Sequence, residues 1–193
     1  MMQVSELLEV AGVTSAGCSY AGMSEDVKVA VLTRELATRR LLHSPFQMYS
    51  ALTTSELTIV RTASSLQRSF GAACLPNYII SNCSSLSDLL EVAILLREAG
   101  LLFAASAVPA GSCSSDGSAA TQSAVHYGLM MNIIPLFETI EDLRNSAAIM
   151  DAAFRHPLYS SWISDQGRMH CGTTQEVMLG YSDSSKDGAQ RYF

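Results

Sequence analysis

The sequence predicts a helix-rich α/β fold in which parallel strands form a sheet or part of a barrel. Three short β-prone runs follow Phe70, and a helical pattern separates each run from the next. Such alternation is typical of parallel β/α architecture, because two parallel strands need a crossover connection. The preceding residues read as helical. We therefore expect a single partial domain over residues 1–193, with a helical segment at 1–70 and β/α units at 71–193.

The helical segment contains two predicted helices. The first covers SEDVKVAVLTRELATRR, residues 24–40. The second is expected to open with a capping box formed by Thr53 and Glu56, in which each side chain bonds the other residue's backbone amide. Apolar residues then recur at helical spacing and predict one inward face, formed by Leu57, Val60, Ala63, Leu66 and Phe70.

The first β/α unit begins with a predicted strand over residues 78–81. The helix that follows has Ser85 and Asp88 placed to form a capping box, and Gly100 marks its end. Apolar residues surround this helix except for a narrow polar stripe. Because a helix that is apolar on most sides is a buried one, residues 88–99 are expected to belong inside a larger assembly.

The second unit begins with a predicted strand over NIIPLFE, residues 132–138. Thr139 is placed as the cap of the next helix, with Asp142 at the third position, and Pro157 is expected to end or kink that helix. A third strand is predicted over EVMLGYS, residues 176–182.

Two stretches fit this alternation poorly. Residues 104–124 consist almost wholly of alanine, serine and glycine, which predicts a flexible insertion. Residues 167–175, GRMHCGTTQ, hold a similar position before the third strand. Both connect a helix to a strand, and such loops lie on the face of a parallel barrel away from the chemistry. Insertions there need not damage a site.

Charge and hydropathy narrow the class of partner. The formal net charge of -6 argues against a nucleic acid or an anionic membrane held by bulk electrostatics. No apolar run approaches the roughly 18 residues of a membrane-spanning helix, and the start, MMQVSELLEV, lacks the basic region of a secretory signal. We therefore expect a cytoplasmic protein.

The cysteines and histidines do not indicate disulfides, a zinc site or a catalytic triad. The five cysteines include no CxxC pair, which predicts reduced thiols rather than disulfides or a zinc site. None of the histidines has a Ser, Cys or Asp at a spacing that suggests a catalytic triad. All four are expected to be structural or surface residues: His43, His126, His156 and His170.

Functional side chains are expected where strands end and helices begin. These exits present Ser81, Glu138 and the SDSSKDG turn at residues 182–188. Glu138 and Asp183 are candidate ligands for Mg²⁺, which takes one or two carboxylates and leaves its other positions to water and substrate. Lys186 is a candidate partner for a phosphate or carboxylate. From spacing alone an alternative stays open, in which Glu138 joins an ordinary helix cap and SDSSKDG is a solvated turn.

The segments NIIPLFETIEDLRNSAAIM and QEVMLGYSDSSKDG, in that order, closely resemble phosphoenolpyruvate carboxylase. The upstream stretches LTRELATRRLLHSPF, SELTIVRTASSLQRSFG and LPNYIISNCSSLSDLLEVAILLREAGLL look like the same family. The resemblance covers most of residues 25–188. It fails over residues 104–124, at residues 170–174, and after Gly188.

This resemblance implies a helix-rich enzyme built around a TIM-like β/α barrel, which is a homotetramer in the family. Such an enzyme joins bicarbonate to phosphoenolpyruvate with Mg²⁺ or Mn²⁺ and yields oxaloacetate and phosphate. In the family's mechanism bicarbonate attacks the phosphoryl group, and CO₂ released from carboxyphosphate is captured by pyruvate enolate. Glu138 and Asp183 match the family's metal ligands, and Lys186 matches a site lysine that serves substrate charge.

Two motifs of the family, a TAHPTE-type histidine motif and a GRGGS-type arginine loop, have no counterpart in these 193 residues. The favoured hypothesis is therefore a carboxylase fragment that is inactive as an isolated chain. The second hypothesis is a noncatalytic truncated subunit that associates with full-length carboxylase. The third is an unrelated phosphate-binding α/β module, which would require the motif matches to be accidental.

Overall fold

The computed structural model describes residues 2–14, 19–105, 126–169 and 174–192. Three helices precede the sheet, α1 (Met2–Val10), α2 (Glu25–Leu36) and α3 (Ala51–Phe70). The helices that follow are α4 (Leu86–Glu98), α5 (Ile140–Arg155), α6 (Pro157–Met169) and α7 (Tyr181–Tyr192). The strands are β1 (Asn77–Ile80), β2 (Leu102–Ala105), β3 (His126–Leu129), β4 (Asn132–Phe137) and β5 (Met178–Leu179).

The main sheet has three strands in the order β1-β4-β5, and both pairings are parallel. The helix-rich α/β class and the parallel strands predicted from sequence are therefore confirmed. The described residues form three strands of such a sheet and do not close a barrel. Strands β2 and β3 form a separate antiparallel pair, which the sequence pattern did not predict.

Helix α4 is the centre of the core. Its residues from Leu89 to Leu96 are all buried, and it contacts helices α1, α2, α3 and α5 as well as strands β2 and β4. The partners that were expected from a larger assembly are therefore supplied, among the described residues, by this chain itself. The helices of the N-terminal segment supply this cover, because α2 packs along α4 and is hydrogen-bonded to it near both ends.

The polar side chains of α4 are buried with it and hold the N-terminal segment in place. Tyr20 donates a 2.8 Å hydrogen bond to Glu91, whose pKa is raised by burial. The Glu98 carboxylate accepts hydrogen bonds from the backbone amides of Leu42 and His43 at 2.9 and 3.0 Å. Since buried carboxylates need such partners, these bonds fix the loop between α2 and α3 against the end of α4.

The sequence predicted two helix starts correctly and one wrongly. The capping boxes of Ser85 with Asp88 and of Thr139 with Asp142 are confirmed. The box of Thr53 with Glu56 is wrong, because α3 begins three residues earlier and Ser50 accepts the capping bond from the Thr53 amide. The Thr53 hydroxyl instead donates to the Glu6 carboxylate.

The third strand is shorter than predicted. Only Met178 and Leu179 pair with β4, and α7 already begins at Tyr181. The SDSSKDG segment is therefore helical, not a turn, because one strand neighbour offers few ladder bonds while a helix satisfies its own backbone groups. Upstream, α6 runs into the predicted loop as far as Met169, whereas residues 170–173 lie outside the described residues.

The predicted insertion at residues 104–124 is also bounded differently. Ala104 and Ala105 belong to β2, where they pair with Tyr127 and His126 of β3. Residues 106–125 lie outside the described part of the chain.

One face of the main sheet is covered by helices and the other is only partly open, since Ile134 on that second face is 5% exposed. Ile80, Ile133 and Phe137 belong to the core on the covered face. Ile79, which alternates with Ile80, is 52% exposed, and Met178 is 44% exposed. Among the described helices none is long and apolar enough to cross a membrane.

Candidate metal site at the strand ends

The parallel register brings the ends of three strands to one edge of the sheet. Ile80 of β1 lies beside Pro135 of β4, and Phe137 of β4 lies beside Leu179 of β5. Two backbone bonds extend this pairing past the strand ends. Cys83 donates to the Leu136 carbonyl at 3.2 Å, and Gly180 donates to the Phe137 carbonyl at 2.9 Å. Residues that follow these strands are therefore neighbours, as in other parallel β/α folds.

Glu138 occupies the exit of the central strand. It follows the buried Phe137 directly and is itself half-buried. The next residue, Thr139, caps α5 by accepting a 3.0 Å bond from the Asp142 amide, while Asp142 accepts a 3.2 Å bond from the Thr139 amide. This reciprocal cap fixes the backbone on one side of Glu138, and the buried strand fixes it on the other.

Gly180 lets the neighbouring strand end approach Glu138 closely. A Cβ atom at position 180 would lie 3.1 Å from the Glu138 Cα and 3.3 Å from the Phe137 carbonyl oxygen. Both are backbone atoms, which cannot swing aside as a side chain does. A side chain at position 180 would thus crowd the backbone of β4, and glycine suits this close contact between the two segments.

Ser184 ties the first turn of α7 to the same point. Its Oγ atom lies 2.7 Å from the Glu138 carbonyl oxygen and 2.5 Å from the Gly180 carbonyl oxygen, so one hydroxyl hydrogen is shared between two acceptors. Asp183, the residue before it, lies in this first turn and is exposed. The turn that carries Asp183 is therefore anchored to the backbone of Glu138.

Lys186 lies one turn further along α7. Its Nζ atom is 3.7 Å from Oδ1 of Asp183, and the lysine side chain is 78% exposed. An exposed pair of this kind contributes little to stability. The ammonium group is thus available to an anion that approaches this edge of the sheet.

The donor set suits a hard divalent cation that keeps water or substrate among its ligands. Glu138 and Asp183 offer carboxylate oxygens, which Mg²⁺ and Mn²⁺ prefer. Across the described ranges no group of three or more His, Cys, Asp or Glu residues could hold a metal. A metal ion at this edge would thus have at most two such side-chain ligands from the described residues, and water or substrate would fill its other positions.

Apolar side chains lie just before the candidate ligands on the open face of the sheet. Leu136 of β4 and Met178 of β5 are directly paired, and Leu136 is half-buried. The sequence pattern did not indicate this pair, nor the roles of Gly180 and Ser184. The alternation of β4 could have indicated Leu136, since it points away from the face of Phe137, but one serine in a serine-rich run carries no such signal.

The remaining candidate residues are placed as follows. Ser81 is exposed beyond the end of β1, and Asn82 after it has a left-handed backbone with φ of 51°. His43 interacts with Arg61 at 3.0 Å, and His156 with Thr33 at 2.8 Å, so both have structural contacts. His126 lies in β3, whereas His170 is outside the described residues. Cys74 and Cys83 are free thiols.

Known proteins are similar in sequence to this chain. The family model for phosphoenolpyruvate carboxylase matches residues 2–190. The chain belongs to the phosphoenolpyruvate carboxylase family. The match also includes residues 2–24, which the sequence motifs had not covered.

Carboxylases from several bacteria are similar over nearly the whole chain. The enzyme of Chromobacterium violaceum is 42% identical over 185 residues, which is 96% of this chain and 18% of the relative. The enzyme of Ralstonia nicotianae is 45% identical and that of Nocardia farcinica 43%, with 16% and 17% of the relatives covered. This chain thus spans about a sixth of the length of the carboxylases that it matches.

Proposed function

We propose that this chain forms the metal-holding part of a phosphoenolpyruvate carboxylase catalytic site. The reaction is the carboxylation of phosphoenolpyruvate by bicarbonate, with oxaloacetate and phosphate as products. The observation that carries the proposal is the 2.7 Å contact between Ser184 Oγ and the Glu138 carbonyl oxygen. It joins the two segments that bear the carboxylates, at the edge of a parallel sheet where catalytic residues gather.

Each residue has a role that follows from its position. A divalent ion bound here would supply Lewis-acid stabilisation of oxyanions and a template for the substrates. Glu138, held between the strand and the α5 cap, and Asp183, held through Ser184, would be its protein ligands. Lys186 would bind a phosphate or carboxylate oxygen of the substrate and balance its charge.

The open face of the sheet would contribute a dry surface beside these groups. Leu136 and Met178 present apolar side chains immediately before the two carboxylate-bearing segments. Exclusion of water there would strengthen the electrostatic interactions of the substrate with Lys186. We further propose that the chain acts in the cytoplasm as part of an oligomer, which accords with its family and its net charge of -6.

The proposal can be tested in a chimeric enzyme. Residues 71–188 would replace the matching segment of the Chromobacterium violaceum carboxylase, and oxaloacetate would be followed through malate dehydrogenase. We expect turnover by the chimera and its loss in the Asp183→Ala variant. Substitution of Asp151, an exposed aspartate on α5 that pairs with Arg155 at 3.0 Å, is the control and should leave turnover unchanged. A chimera equally active with Asp183→Ala would refute the proposed role.

A second candidate function, a noncatalytic subunit that joins full-length carboxylase, is favoured by the open side of the sheet. Leu179 on the edge strand is 63% exposed and Ile79 on the open face is 52% exposed. Tagged residues 1–193 would be expressed together with a complete carboxylase. Co-purification that is lost with Leu179→Lys, a charge on the unpaired strand edge, would support this function, and its absence would reject it.

A further inference from the structure

The segment that carries Asp183 is held against the sheet by few backbone bonds. Strand β5 pairs with β4 through Met178 and Leu179 alone. Pro135 lies in β4 one residue before this pairing begins, and a proline has no amide hydrogen to donate. The register of β5, which sets where Asp183 lies relative to Glu138, therefore needs support from other contacts.

Gln175 supplies such a contact from outside the strand. Its Nε2 atom donates a 2.9 Å bond to the Ile133 carbonyl oxygen in β4 and a 2.8 Å bond to the Glu176 carbonyl oxygen. Counted back from the pairing of Phe137 with Leu179, position 175 lies opposite Ile133. The side-chain amide of Gln175 therefore continues the register of β4 and β5 beyond their backbone pairing.

Tyr159 of α6 sets the orientation of this amide. Its hydroxyl donates a 3.0 Å bond to Oε1 of Gln175, and the tyrosine is 2% exposed. Burial raises the pKa of Tyr159, so its hydroxyl keeps its proton and acts as the donor. Because Oε1 is engaged as the acceptor, both hydrogens of Nε2 are directed to carbonyl groups. The neighbouring Glu176 accepts a 3.2 Å bond from Asn77, but both of those residues are exposed and water competes for that contact.

A change of register would misplace one candidate ligand against the other. Consecutive residues of a strand are about 3.3 Å apart and point to opposite faces. A slip of β5 by one residue would therefore shift Asp183 by about that distance relative to Glu138. It would also remove Gly180 from the close contact with the backbone of Glu138. Since Mg²⁺ demands ligand distances near about 2.0–2.1 Å, such a shift would break the site.

We infer that Gln175 is a positioning residue for the metal ligand Asp183. Through the Ile133 carbonyl it fixes the register of β5, and that register places the Asp183 carboxylate. Gln175 lies near the start of β4, away from the strand ends that bear both carboxylates. It therefore acts through β5 and touches neither metal nor substrate. The inference rests on the proposed function, in which Glu138 and Asp183 hold a divalent ion.

Hydrogen exchange in residues 1–193, without added metal, tests the effect on the register. The Gly180 amide donates to the Phe137 carbonyl and so reports whether β5 stays beside β4. Gln175→Met keeps the length of the side chain and removes its donors. We expect it to speed exchange at Gly180 about tenfold relative to the amides of α4. Tyr159→Phe, which removes only the orienting bond, is the milder variant and should speed this exchange about threefold.

A second glutamine provides a matched control. Gln67 is 6% exposed, and its Nε2 atom donates to the carbonyls of Leu75 and Met130 at 2.7 and 3.1 Å. Gln67→Met therefore loses the same kind of bonds as Gln175→Met, but neither acceptor lies in β5. It should lower the melting temperature at least as much and leave exchange at Gly180 unchanged relative to α4.

Mn²⁺ binding tests the effect on the site. A chimera that carries residues 2–190 in place of the matching segment of the Chromobacterium violaceum carboxylase includes both glutamines. Paramagnetic resonance of free Mn²⁺ gives the dissociation constant. Gln175→Met should raise it about tenfold, as expected when a group that orients a metal ligand is removed. Tyr159→Phe should raise it about threefold, and Gln67→Met should leave it within about twofold of the parent value.

The outcomes separate this inference from the proposed function. The inference is overturned if Gln175→Met and Gln67→Met exchange equally at Gly180, or if the two variants bind Mn²⁺ equally. Loss of Mn²⁺ binding with Asp183→Ala but not with Gln175→Met would refute only the role of Gln175. Equal binding by the parent and Asp183→Ala would refute the metal assignment itself, whatever the exchange at Gly180 shows.

Discussion

The backbone amide of Gly180 donates a 2.9 Å hydrogen bond to the carbonyl oxygen of Phe137. This bond sets how closely the end of β5 approaches the end of β4, and so fixes the spacing between the segments that carry Asp183 and Glu138. Because Gly180 is buried and a Cβ there would contact backbone atoms at 3.1 and 3.3 Å, the approach depends on the missing side chain.

Gly180→Ala should therefore destabilise the fold by about 1–3 kcal/mol, the usual cost of overpacking. Guanidinium unfolding of residues 1–193 measures this free energy. Gly22→Ala is the control, because no heavy atom lies within 4 Å of a Cβ built there, and a change within about 0.5 kcal/mol is expected for it. Equal effects of the two substitutions would contradict the close contact at position 180.

Asp183→Ala should abolish Mn²⁺ binding in a complete carboxylase that carries this segment. The expected loss follows because the proposed site holds the ion through the carboxylates of Glu138 and Asp183, and the substitution removes one of these two charged ligands. Paramagnetic resonance of free Mn²⁺ gives the bound fraction directly. Asp151→Ala should bind as the parent does, and unchanged binding by Asp183→Ala would reject the ligand assignment.

His156 should make the fold less stable in mild acid. Thr33 donates its hydroxyl hydrogen to the Val29 carbonyl, so His156 Nε2 donates to Thr33, and the buried Nδ1 of His156 has no hydrogen-bond partner in the described ranges. Burial lowers the pKa of His156 below its ordinary value. The unfolded chain takes up a proton near pH 6.5 whereas the folded chain takes it up only at lower pH.

The stability that the fold has with neutral His156 is thus fully present above about pH 6.5. It is lost as the pH falls below that value towards the pKa of His156 in the folded chain. Melting temperatures measured between about pH 7 and pH 5.5 should fall, and His156→Gln should reduce that fall. His43, whose pKa is lowered first by burial and then by Arg61, is less enclosed, so His43→Gln should reduce the fall less. If the melting temperatures of the parent protein and of the His156→Gln variant fell equally with pH, this account would be contradicted.

The isolated 193-residue chain should make no oxaloacetate. Three strands with one open face cannot enclose a substrate, and catalysis by positioning requires groups on all sides of it. A coupled malate dehydrogenase assay with phosphoenolpyruvate, bicarbonate and Mg²⁺, on protein free of host carboxylase, provides the measurement. Turnover that disappears with Asp183→Ala would show that these residues suffice.

Local signals in the sequence predicted local structure well. The capping boxes at Ser85 and Thr139 were identified because both partners lie within four residues of each other. The start of α3 was misplaced because it depends on Glu6, which accepts bonds from the Ser50 amide and hydroxyl across 44 positions of sequence. No window of sequence contains that pairing.

In the candidate site, too, features with a local sequence signal were predicted, whereas features that depend on distant residues were not. Glu138 and Asp183 could be proposed as candidates because each follows a predicted strand, and the resemblance to the carboxylase family favoured the same two residues. The helical form of the segment around Asp183 was missed, because DSSKDG has the composition of a turn. Its bond from Ser184 to Glu138 arises only when β4 and β5 pair.

The pairing of Ala105 with His126 has a consequence for chain length. Because the two residues are adjacent, the connection between them begins and ends at neighbouring positions. A longer connection therefore need not change the rest of the fold. The entropy of closing a flexible loop rises by only about 0.6 kcal/mol for each doubling of its length. This strand pair is therefore a natural junction for splicing in a reporter domain or an affinity handle, in a sheet separate from the one whose central strand leads to Glu138.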